Sequence, residues 1–289
     1  MDKIVARFGI KSYLADFGLA VAALMWGSTF FIVKGALAYM DPTALTAYRF
    51  LLAAFVLGVT LKLKGKAIFA NFVPGLLLGA VLWLVYITQG IGLQFTSAIN
   101  SGFITGLFVA FTPPLAVVLG REVPSLLRWV AVGVSLAGLW LLTGGLRNLN
   151  GGDALTLIAA FTCALHILWI DKYVKTGIDP YVFCFQQILV VGIFSVFYGL
   201  ATGISFGYSS PHVLWAIFYL ALFPTVCSFL LQVTAQVFTA PIKVALLLAL
   251  EPVFGGIFSW TFGGETFVPI RALGGLLIFL AAIISEIRF

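Results

Sequence analysis

Long apolar runs without a charged residue recur along the whole chain, and Phe103–Leu119 and Leu273–Ile284 are two of them. Hydrophobic residues make up 62% of the 289 residues and charged residues only 9%, whereas soluble domains carry about 25% charge. One soluble core has no room for so much apolar surface, so lipid must be the solvent for most of the chain. The runs lack the alternation of apolar and polar residues found in transmembrane β-barrels, and they therefore predict membrane-spanning helices.

The apolar runs divide into segments of the length that a membrane-spanning helix needs, about 20 residues. We predict an all-α membrane protein with ten helices, at 14–34, 42–61, 72–93, 98–119, 126–143, 153–171, 180–200, 212–231, 242–262 and 269–287. Dipeptides typical of turns separate several of these segments: Asp41-Pro42, Asp179-Pro180, Ser210-Pro211 and Gly263-Gly264. Basic residues precede the first segment, as in a signal sequence, but no small-residue cleavage site follows it. A retained helix is therefore predicted.

The distribution of Lys and Arg predicts the orientation in the membrane. With a cytoplasmic N-terminus, twelve of the 16 basic residues lie in the cytoplasmic connections and ends. The other side holds Lys34, Arg147 and Arg271, and Arg49 lies inside the second segment. Cytoplasmic loops carry the excess of basic residues in membrane proteins. Both termini are therefore predicted to be cytoplasmic, which an even number of helices requires.

The chain also repeats itself. Lys34 and Asp41-Pro42 match Lys172 and Asp179-Pro180, and one offset along the chain relates both pairs. Phe95-Thr96 matches Phe238-Thr239, and Glu122 matches Glu265, and a second, slightly longer offset is common to these two pairs. We predict two copies of five helices, 1–147 and 148–289, which the odd number of helices per copy places in opposite orientations. Inverted repeats are typical of secondary transporters, and a duplicated membrane scaffold is the alternative.

Short motifs occur in order along nearly the whole chain. The first half has Met25-Trp26-Gly27-Ser28, Ala47-Tyr48-Arg49-Phe50, Gln89-Gly90-Ile91-Gly92-Leu93, Thr96-Ser97-Ala98 and Ser101-Gly102-Phe103-Ile104-Thr105. The second half has Ala249-Leu250-Glu251-Pro252-Val253-Phe254, Gly264-Glu265 and Gly274-Gly275. In order and spacing these motifs resemble the drug/metabolite transporter superfamily, in particular its EamA-type members. The sequence departs from the resemblance at Val109, where family members commonly have proline, and at Ala164, which repeat matching aligns with Trp26.

The resemblance implies two inverted five-helix halves around a central cavity that opens alternately to each side of the plasma membrane. It also implies transport, often export, of small metabolites or drugs. The partners expected on this basis are a small-molecule substrate, the lipid bilayer and protons, with no nucleic acid, and the protein is expected to work as a monomer.

Ionisable residues inside the predicted helices are costly in lipid, so each of them needs a role. Glu251 precedes Pro252 and is either a proton or cation site or a structural carboxylate. His166, with Trp169 three residues further along the same helix face, is either a proton relay or a hydrogen-bonding partner of another helix. Arg49 is interpreted as a structural ion pair or an interface anchor, with anion binding as the alternative.

Amides and aromatic residues supply the remaining candidates. Six Gln residues lie in or near the segments, at 89, 94, 186, 187, 232 and 236, and as a set they indicate a polar cavity, although single amides also join helices. The predicted cavity lining is Trp26, Tyr86, Gln89, Asn100, Phe103, His166, Trp169, Gln232, Gln236 and Glu251, with Glu251 and His166 as candidates for coupling transport to protons.

The sequence lacks the motifs of several other classes of protein. It contains no GxxxxGK[ST] loop for ATP, no HExxH motif and no nucleophile elbow, and its three cysteines lie inside predicted helices. No cofactor, metal or enzymatic activity is therefore predicted. The hypothesis is a secondary transporter or facilitator of small amphipathic or amino-acid-like metabolites. The alternatives are a sugar-phosphate or nucleotide-sugar exchanger, a membrane scaffold and a lipid enzyme.

Overall fold

Helices account for most of the part of the chain that the computed structural model describes, which is residues 2–96, 98–120, 123–146, 148–262 and 266–285. Within these residues the chain forms helices, turns and short connections, and no β-strand. The all-α fold class predicted from the apolar runs is therefore confirmed. The repeat-matched pair Glu122 and Glu265, and the basic residue Arg147, lie outside the described residues.

In the described part of the chain the helices make up ten consecutive rods, which we call spans 1 to 10. Their helices are Asp2–Gly27 and Thr29–Ala36 (span 1), Pro42–Leu63 (span 2), Phe72–Phe95 (span 3), Ala98–Gly106 and Phe108–Val118 (span 4), Leu126–Thr143 (span 5), Gly151–Val174 (span 6), Pro180–Ala201 (span 7), His212–Ala221, a π-helical turn Leu222–Cys227 and Ser228–Ala235 (span 8), Pro241–Leu248 and Glu251–Thr261 (span 9), and Pro269–Ile284 (span 10). Each predicted segment overlaps one span.

The length and composition of the spans suit a bilayer. Among the described residues, nine spans contain helical stretches of at least 18 residues that are apolar enough to cross a membrane. Span 10 is also apolar, and its 16 residues are about 24 Å long at the α-helical rise, slightly less than the hydrocarbon thickness of about 30 Å. The chain is therefore built to cross a membrane many times.

Asp-Pro dipeptides start two of the spans. Asp41 precedes span 2, and its side chain accepts a hydrogen bond of 2.7 Å from the backbone N–H of Thr43. Asp179 precedes span 7 and accepts one of 2.9 Å from the N–H of Tyr181. The proline that follows each aspartate has a backbone angle already suited to the first helical position. The two Asp-Pro turn signals thus mark helix starts, and the predicted turn Gly263-Gly264 lies outside the described residues.

Two contacts between connections agree with spans that alternate in direction. Lys66, after span 2, lies 2.7 Å from Asp179, before span 7. Ser209, before span 8, donates its N–H to the carbonyl oxygen of Tyr39, after span 1, at 3.0 Å. The first contact joins the connections that follow spans 2 and 6, and the second joins those that follow spans 1 and 7. In a bundle of alternating spans, connections after even-numbered spans lie at one end and those after odd-numbered spans at the other. We call the two ends of the bundle the Lys66 face and the Tyr39 face.

The Lys66–Asp179 ion pair shows that the connections after span 2 and before span 7 are neighbours, but it contributes little to the stability of the fold. Partial burial of Asp179 disfavours the charged carboxylate, but the hydrogen bond from Lys66 and those from the backbone N–H groups of Tyr181 and Val182 lower its pKa below the usual value. The side chains remain 46% and 30% exposed, and pairs exposed to that extent contribute about 0–1 kcal/mol.

Glycines allow the closest helix contacts, as is common between membrane helices. Span 5 packs along span 10, where a methyl group on Gly138 would lie 2.6 Å from the carbonyl oxygen of Gly274 and 2.9 Å from the backbone nitrogen of Ile278. Backbone atoms of span 10 therefore occupy the space that a side chain at position 138 would need.

We expect Gly138→Ala to destabilise the protein by about 1–3 kcal/mol, because the methyl group forces spans 5 and 10 apart. Gly133→Ala in the same span is the matched control, since no atom lies within 4 Å of the position of its added methyl group. Thermal unfolding of the detergent-solubilised variants measures the difference. Equal melting temperatures for the two variants would contradict this packing.

Candidate functional site

A cavity lies between spans 1, 2, 3, 4, 6, 8 and 9, and with its mouth it encloses about 1090 Å³ of empty space. Its walls are mainly apolar. The polar groups of the lining come from Trp26, Thr29, Thr46, Arg49, Tyr86, Gln89, Ser101, Thr105, Cys163, His166, Gln232 and Glu251.

The cavity reaches the Tyr39 face of the bundle. Its lining includes Leu37 after span 1, Pro42 at the start of span 2 and Leu93 near the end of span 3, all of which lie toward that face. Toward the Lys66 face the lining ends near Gln232. One helical turn further on, the side-chain amide of Gln236 donates a hydrogen bond of 2.8 Å to the carbonyl oxygen of Ile167 and joins span 8 to span 6.

The guanidinium of Arg49 supplies the positive charge of the cavity. Its Nε donates to Thr225 Oγ1 at 2.5 Å, and its Nη2 lies 3.5 Å from the hydroxyl of Tyr86. The guanidinium carbon is 5.0 Å from the centre of the Tyr86 ring and 5.4 Å from that of Phe50, within the range of cation–π interactions. Arg49 is only 4% exposed, so it is not an interface anchor with its charge in bulk water.

The π-helical turn of span 8 provides the partners that hold Arg49 and Trp26. Because Pro224 has no backbone N–H, it cannot make the normal helical hydrogen bond, and the helix widens around it. The hydroxyl of Thr225 donates to the carbonyl oxygen of Leu220 at 2.7 Å and accepts from Arg49. The carbonyl oxygen of Pro224 accepts the indole N–H of Trp26 at 2.7 Å.

Glu251 supplies the carboxylate of the cavity. It is the first residue of the second helix of span 9, after a break at Ala249 and Leu250. In the part of the chain that the structure describes, its carboxylate has no hydrogen-bond partner and forms no direct ion pair with Arg49. A carboxylate at a helix start is favoured by the helix dipole. The cavity therefore holds a basic and an acidic side chain that make no direct contact with each other.

Comparison with known proteins agrees with these features. Residues 13–144 and 150–286 each match the model of the EamA-like transporter family. The chain belongs to the EamA-like transporter family. It is 33% identical to an "Uncharacterized transporter" of Archaeoglobus fulgidus, over 97% of this chain and 88% of that one. It is 24% identical to the "Uncharacterized inner membrane transporter YedA" of Escherichia coli K12, over 95% and 92%.

A solved crystal structure supports the fold of the transporter. It superposes with a TM-score of 0.81 over 94% of this chain and 96% of that chain, at 15% identity, which bears on the fold alone. With the apolar helices, the family identifies a multi-pass transporter of the plasma membrane. The resemblance drawn from the sequence motifs is confirmed.

Six of the ten predicted site residues line the cavity of the transporter: Trp26, Tyr86, Gln89, His166, Gln232 and Glu251. Gln89 donates a hydrogen bond of 2.9 Å to Thr105 and joins spans 3 and 4 near the mouth. The ring nitrogen Nε2 of His166 lies 2.8 Å from the side-chain oxygen of Gln187, so this histidine already has a partner in span 7.

The other four predicted residues lie away from the cavity lining. Asn100 donates to the carboxylate of Asp153 at 3.3 Å, and Phe103 packs edge-on against Trp140. Trp169 is half-buried and packs against the apolar core, and Gln236 bonds to the backbone of span 6. Each of these side chains packs against other parts of the bundle. It does not reach the cavity because it lies at another depth in the bundle or points in another direction from its helix axis.

Sequence reasoning missed several polar groups of the lining. Ser101 and Thr105 lie one helical turn apart and share the cavity, a signal that their spacing contains. The π-helical turn was also missed, although Pro224 interrupts an otherwise continuous apolar segment and proline is the usual cause of such a local adjustment.

Thr225→Val is expected to destabilise the transporter by about 1–3 kcal/mol, because it leaves Arg49 Nε buried without its acceptor. Thr225→Ser keeps a hydroxyl at this position and serves as the matched control. Thermal unfolding in detergent is the measurement. If valine and serine gave the same melting temperature, the hydrogen bond between Arg49 and Thr225 would have no role in stability.

Proposed function

We propose that this transporter moves a small, amphipathic, amino-acid-like metabolite across the plasma membrane by alternating access, with export as the direction and without ATP or catalysis. The observation that carries the proposal is the cavity that presents Arg49 and Glu251 among apolar walls. One chain surrounds the cavity, so a monomer suffices.

Matching interruptions support two related halves, 1–147 and 148–289. Span 4 breaks at Leu107 and span 9 at Leu250. The offset between these two positions is the same as the offset that relates Phe95-Thr96 to Phe238-Thr239. Transporters with inverted repeats commonly form their sites at broken helices in corresponding positions of both halves.

The pattern of contacts between spans also fits a twofold relation. If spans 1 to 5 correspond to spans 6 to 10, the contact of span 3 with span 6 corresponds to that of span 8 with span 1, and both occur. The contact of span 4 with span 6 corresponds likewise to that of span 9 with span 1, and both occur. Five alternating spans per half place the two halves in opposite orientations.

The basic residues support a cytoplasmic Lys66 face. Lys62 lies in the last turn of span 2, and Lys64 and Lys66 follow it. Lys172 and Lys175 lie near the end of span 6, and all five are toward this face. By the positive-inside rule both termini are then cytoplasmic and the cavity reaches the outer side. The structure corresponds to an outward-open state under this assignment.

Two unlike charges in one apolar cavity suit a zwitterion. Arg49 offers hydrogen bonds to a carboxylate, and Glu251 offers a partner to an ammonium group. The apolar side chains of Leu82, Val85 and Leu248 line the same space and suit an aliphatic or aromatic side chain. A sugar-phosphate or nucleotide-sugar site needs several basic residues, and Arg49 is the single Lys or Arg among the described lining residues.

Counterflow of radiolabelled amino acids in proteoliposomes tests the substrate class, with leucine, phenylalanine, glutamate and lysine as the first panel. We expect leucine or phenylalanine to exchange. Arg49→Gln should lower that flux by about tenfold or more, since one charge-assisted hydrogen bond contributes roughly 1.5–3 kcal/mol. Lys34→Gln, an exposed residue outside the cavity, is the matched control for loss of a positive charge. Equal losses in both variants would overturn the role of Arg49.

Proton coupling through Glu251 is tested in the same liposomes with an imposed pH gradient. Glu251 has no fixed partner among the described residues, whereas His166 bonds to Gln187, so we favour Glu251 over His166 as the proton carrier. Glu251→Gln should abolish the dependence of flux on the pH gradient. Exchange without a gradient should also fall, because the substitution removes the partner of the ammonium group, but the exchange that remains should be the same at every imposed gradient. Gradient-driven flux that survives this substitution would exclude coupling through Glu251.

A further inference from the structure

Two buried aspartates make matching contacts at opposite faces of the bundle. At the Lys66 face, Asp16 of span 1 accepts a hydrogen bond of 2.7 Å from Lys243 Nζ and one of 3.2 Å from Thr239 Oγ1. Thr239 and Lys243 flank the start of span 9. Asp16 and Lys243 are 9% and 8% exposed, so the ion pair is largely withdrawn from water.

At the Tyr39 face, Asp153 of span 6 makes the corresponding contacts. Its Oδ1 accepts from Thr96 Oγ1 at 2.5 Å and from Asn100 Nδ2 at 3.3 Å, and its Oδ2 accepts the backbone N–H of Asn150 at 2.7 Å. Thr96 and Asn100 flank the start of span 4. Asp153 is 5% exposed.

The two groups are equivalent under the repeat. The offset from Thr96 to Thr239 is the same as that from Asn100 to Lys243, and it is also the offset between the breaks of spans 4 and 9. Asp16 lies near the start of Ser12–Ala36, the apolar stretch of span 1, and Asp153 lies near the start of span 6. The offset between the two aspartates is one residue shorter than the offset that relates Lys34 to Lys172. The same arrangement thus occurs at each face: an aspartate accepts hydrogen bonds from a threonine and from the residue four positions after it. That residue is Lys243 at the Lys66 face and Asn100 at the Tyr39 face.

The position of the cavity mouth decides whether these contacts are gates or fixed links. The cavity reaches the Tyr39 face between spans 1 and 2 on one side and spans 3 and 4 on the other. The Asp153 contacts lie at this same face and are intact, so they do not close the cavity. By the repeat, a state open to the Lys66 face would likewise keep the Asp16 contacts.

We infer that Asp16 and Asp153 are positioning residues that tie span 1 to span 9 and span 6 to span 4 throughout transport, so that the moving bodies are spans 1, 8 and 9 and spans 3, 4 and 6. Each body then combines spans from both halves of the sequence. The inference rests on the proposed alternating access and adds which spans move together.

Close backbone contacts within each body support this assignment. A methyl group on Gly27 of span 1 would lie 2.7 Å from the carbonyl oxygen of Glu251 in span 9. A methyl group on Gly92 of span 3 would lie 2.7 Å from the carbonyl oxygen of Gly152 in span 6. Seams with backbone this close leave no room for the side chains to slide past one another, so the spans of a body move as one.

Cross-linking distinguishes a fixed link from a gate. The native cysteines at 163, 184 and 227 are first replaced by alanine, and leucine counterflow of this parent is measured. The variants Asp16→Cys with Thr239→Cys, and Asp153→Cys with Thr96→Cys, are then joined by a short bifunctional thiol reagent. We expect flux to fall when the contacts are removed and to return when the cross-link replaces them. Complete loss of flux on cross-linking would show that the contacts must open, and would overturn the inference.

A pair across the cavity mouth provides the opposite control. Leu37→Cys with Leu93→Cys, one residue on each side of the mouth, should arrest flux when a short reagent joins them in the state whose mouth is closed, because the mouth can then no longer open. Retained flux in this pair would show that spans 1 and 3 do not move apart, and would overturn the assignment of bodies.

A spectroscopic measurement leaves the aspartates unaltered and needs no substrate. Spin labels are placed in pairs on exposed residues of the reconstituted protein: Leu14 with Ile257 within one body, Val73 with Leu157 within the other, and Leu14 with Val73 between the bodies. We expect narrow distance distributions within each body and a broad or two-component distribution between them. Distributions within the bodies as broad as that between them would overturn the inference. A parent without leucine flux but with this pattern would instead count against the proposed substrate alone.

Discussion

The cost of placing a charge in lipid governs how this structure is arranged. Ionised side chains at membrane depth are tolerated when they face a polar cavity or a partner. Arg49 and Glu251 face the central cavity, whereas Asp16 pairs with Lys243 and Asp153 binds hydroxyl and amide groups. The same constraint thus separates the charges into two classes. Arg49 and Glu251 line the cavity, and Asp16 and Asp153, with their hydrogen-bond partners, hold spans together near the two faces.

The helices that line the cavity are interrupted beside it, at the π-helical turn of span 8 and at the breaks of spans 4 and 9. A broken helix in lipid must satisfy the backbone groups that it frees. At the π-helical turn of span 8, Trp26 binds the carbonyl oxygen of Pro224, and Thr225 binds that of Leu220. Thr225 also accepts a hydrogen bond from Arg49. The hydrogen bonds that satisfy the free backbone groups of the turn and the one that positions the guanidinium therefore belong to one network. The local irregularity is therefore the means by which the sequence positions its charge.

The sequence predicted which segments form helices far better than which side chains meet. Uninterrupted apolar runs and Asp-Pro dipeptides depend on neighbours in sequence, so they were readable directly. Glu251 and His166 were identified because a charge or an imidazole at mid-span is unusual. Asn100 and Gln236 were misplaced, since facing the cavity depends on the tilt and rotation of each span. Arg49 meets Thr225 across 176 residues of sequence, a contact that a single sequence does not encode locally.

The arrangement of the two bodies explains how a bound substrate would influence their motion. Glu251 belongs to span 9. Arg49 of span 2 makes its shorter hydrogen bond, of 2.5 Å, to Thr225 of span 8 and its longer one, of 3.5 Å, to Tyr86 of span 3, and on that basis we assign both charges to the body of spans 1, 8 and 9. Tyr86 and His166 line the opposite wall and belong to spans 3 and 6. A ligand shifts a conformational equilibrium only through contacts that differ between the states. A substrate whose charged groups bind one body would contact Tyr86 and His166 of the other body differently in the two states. Those contacts would therefore make the conformational equilibrium depend on the side chain of the substrate.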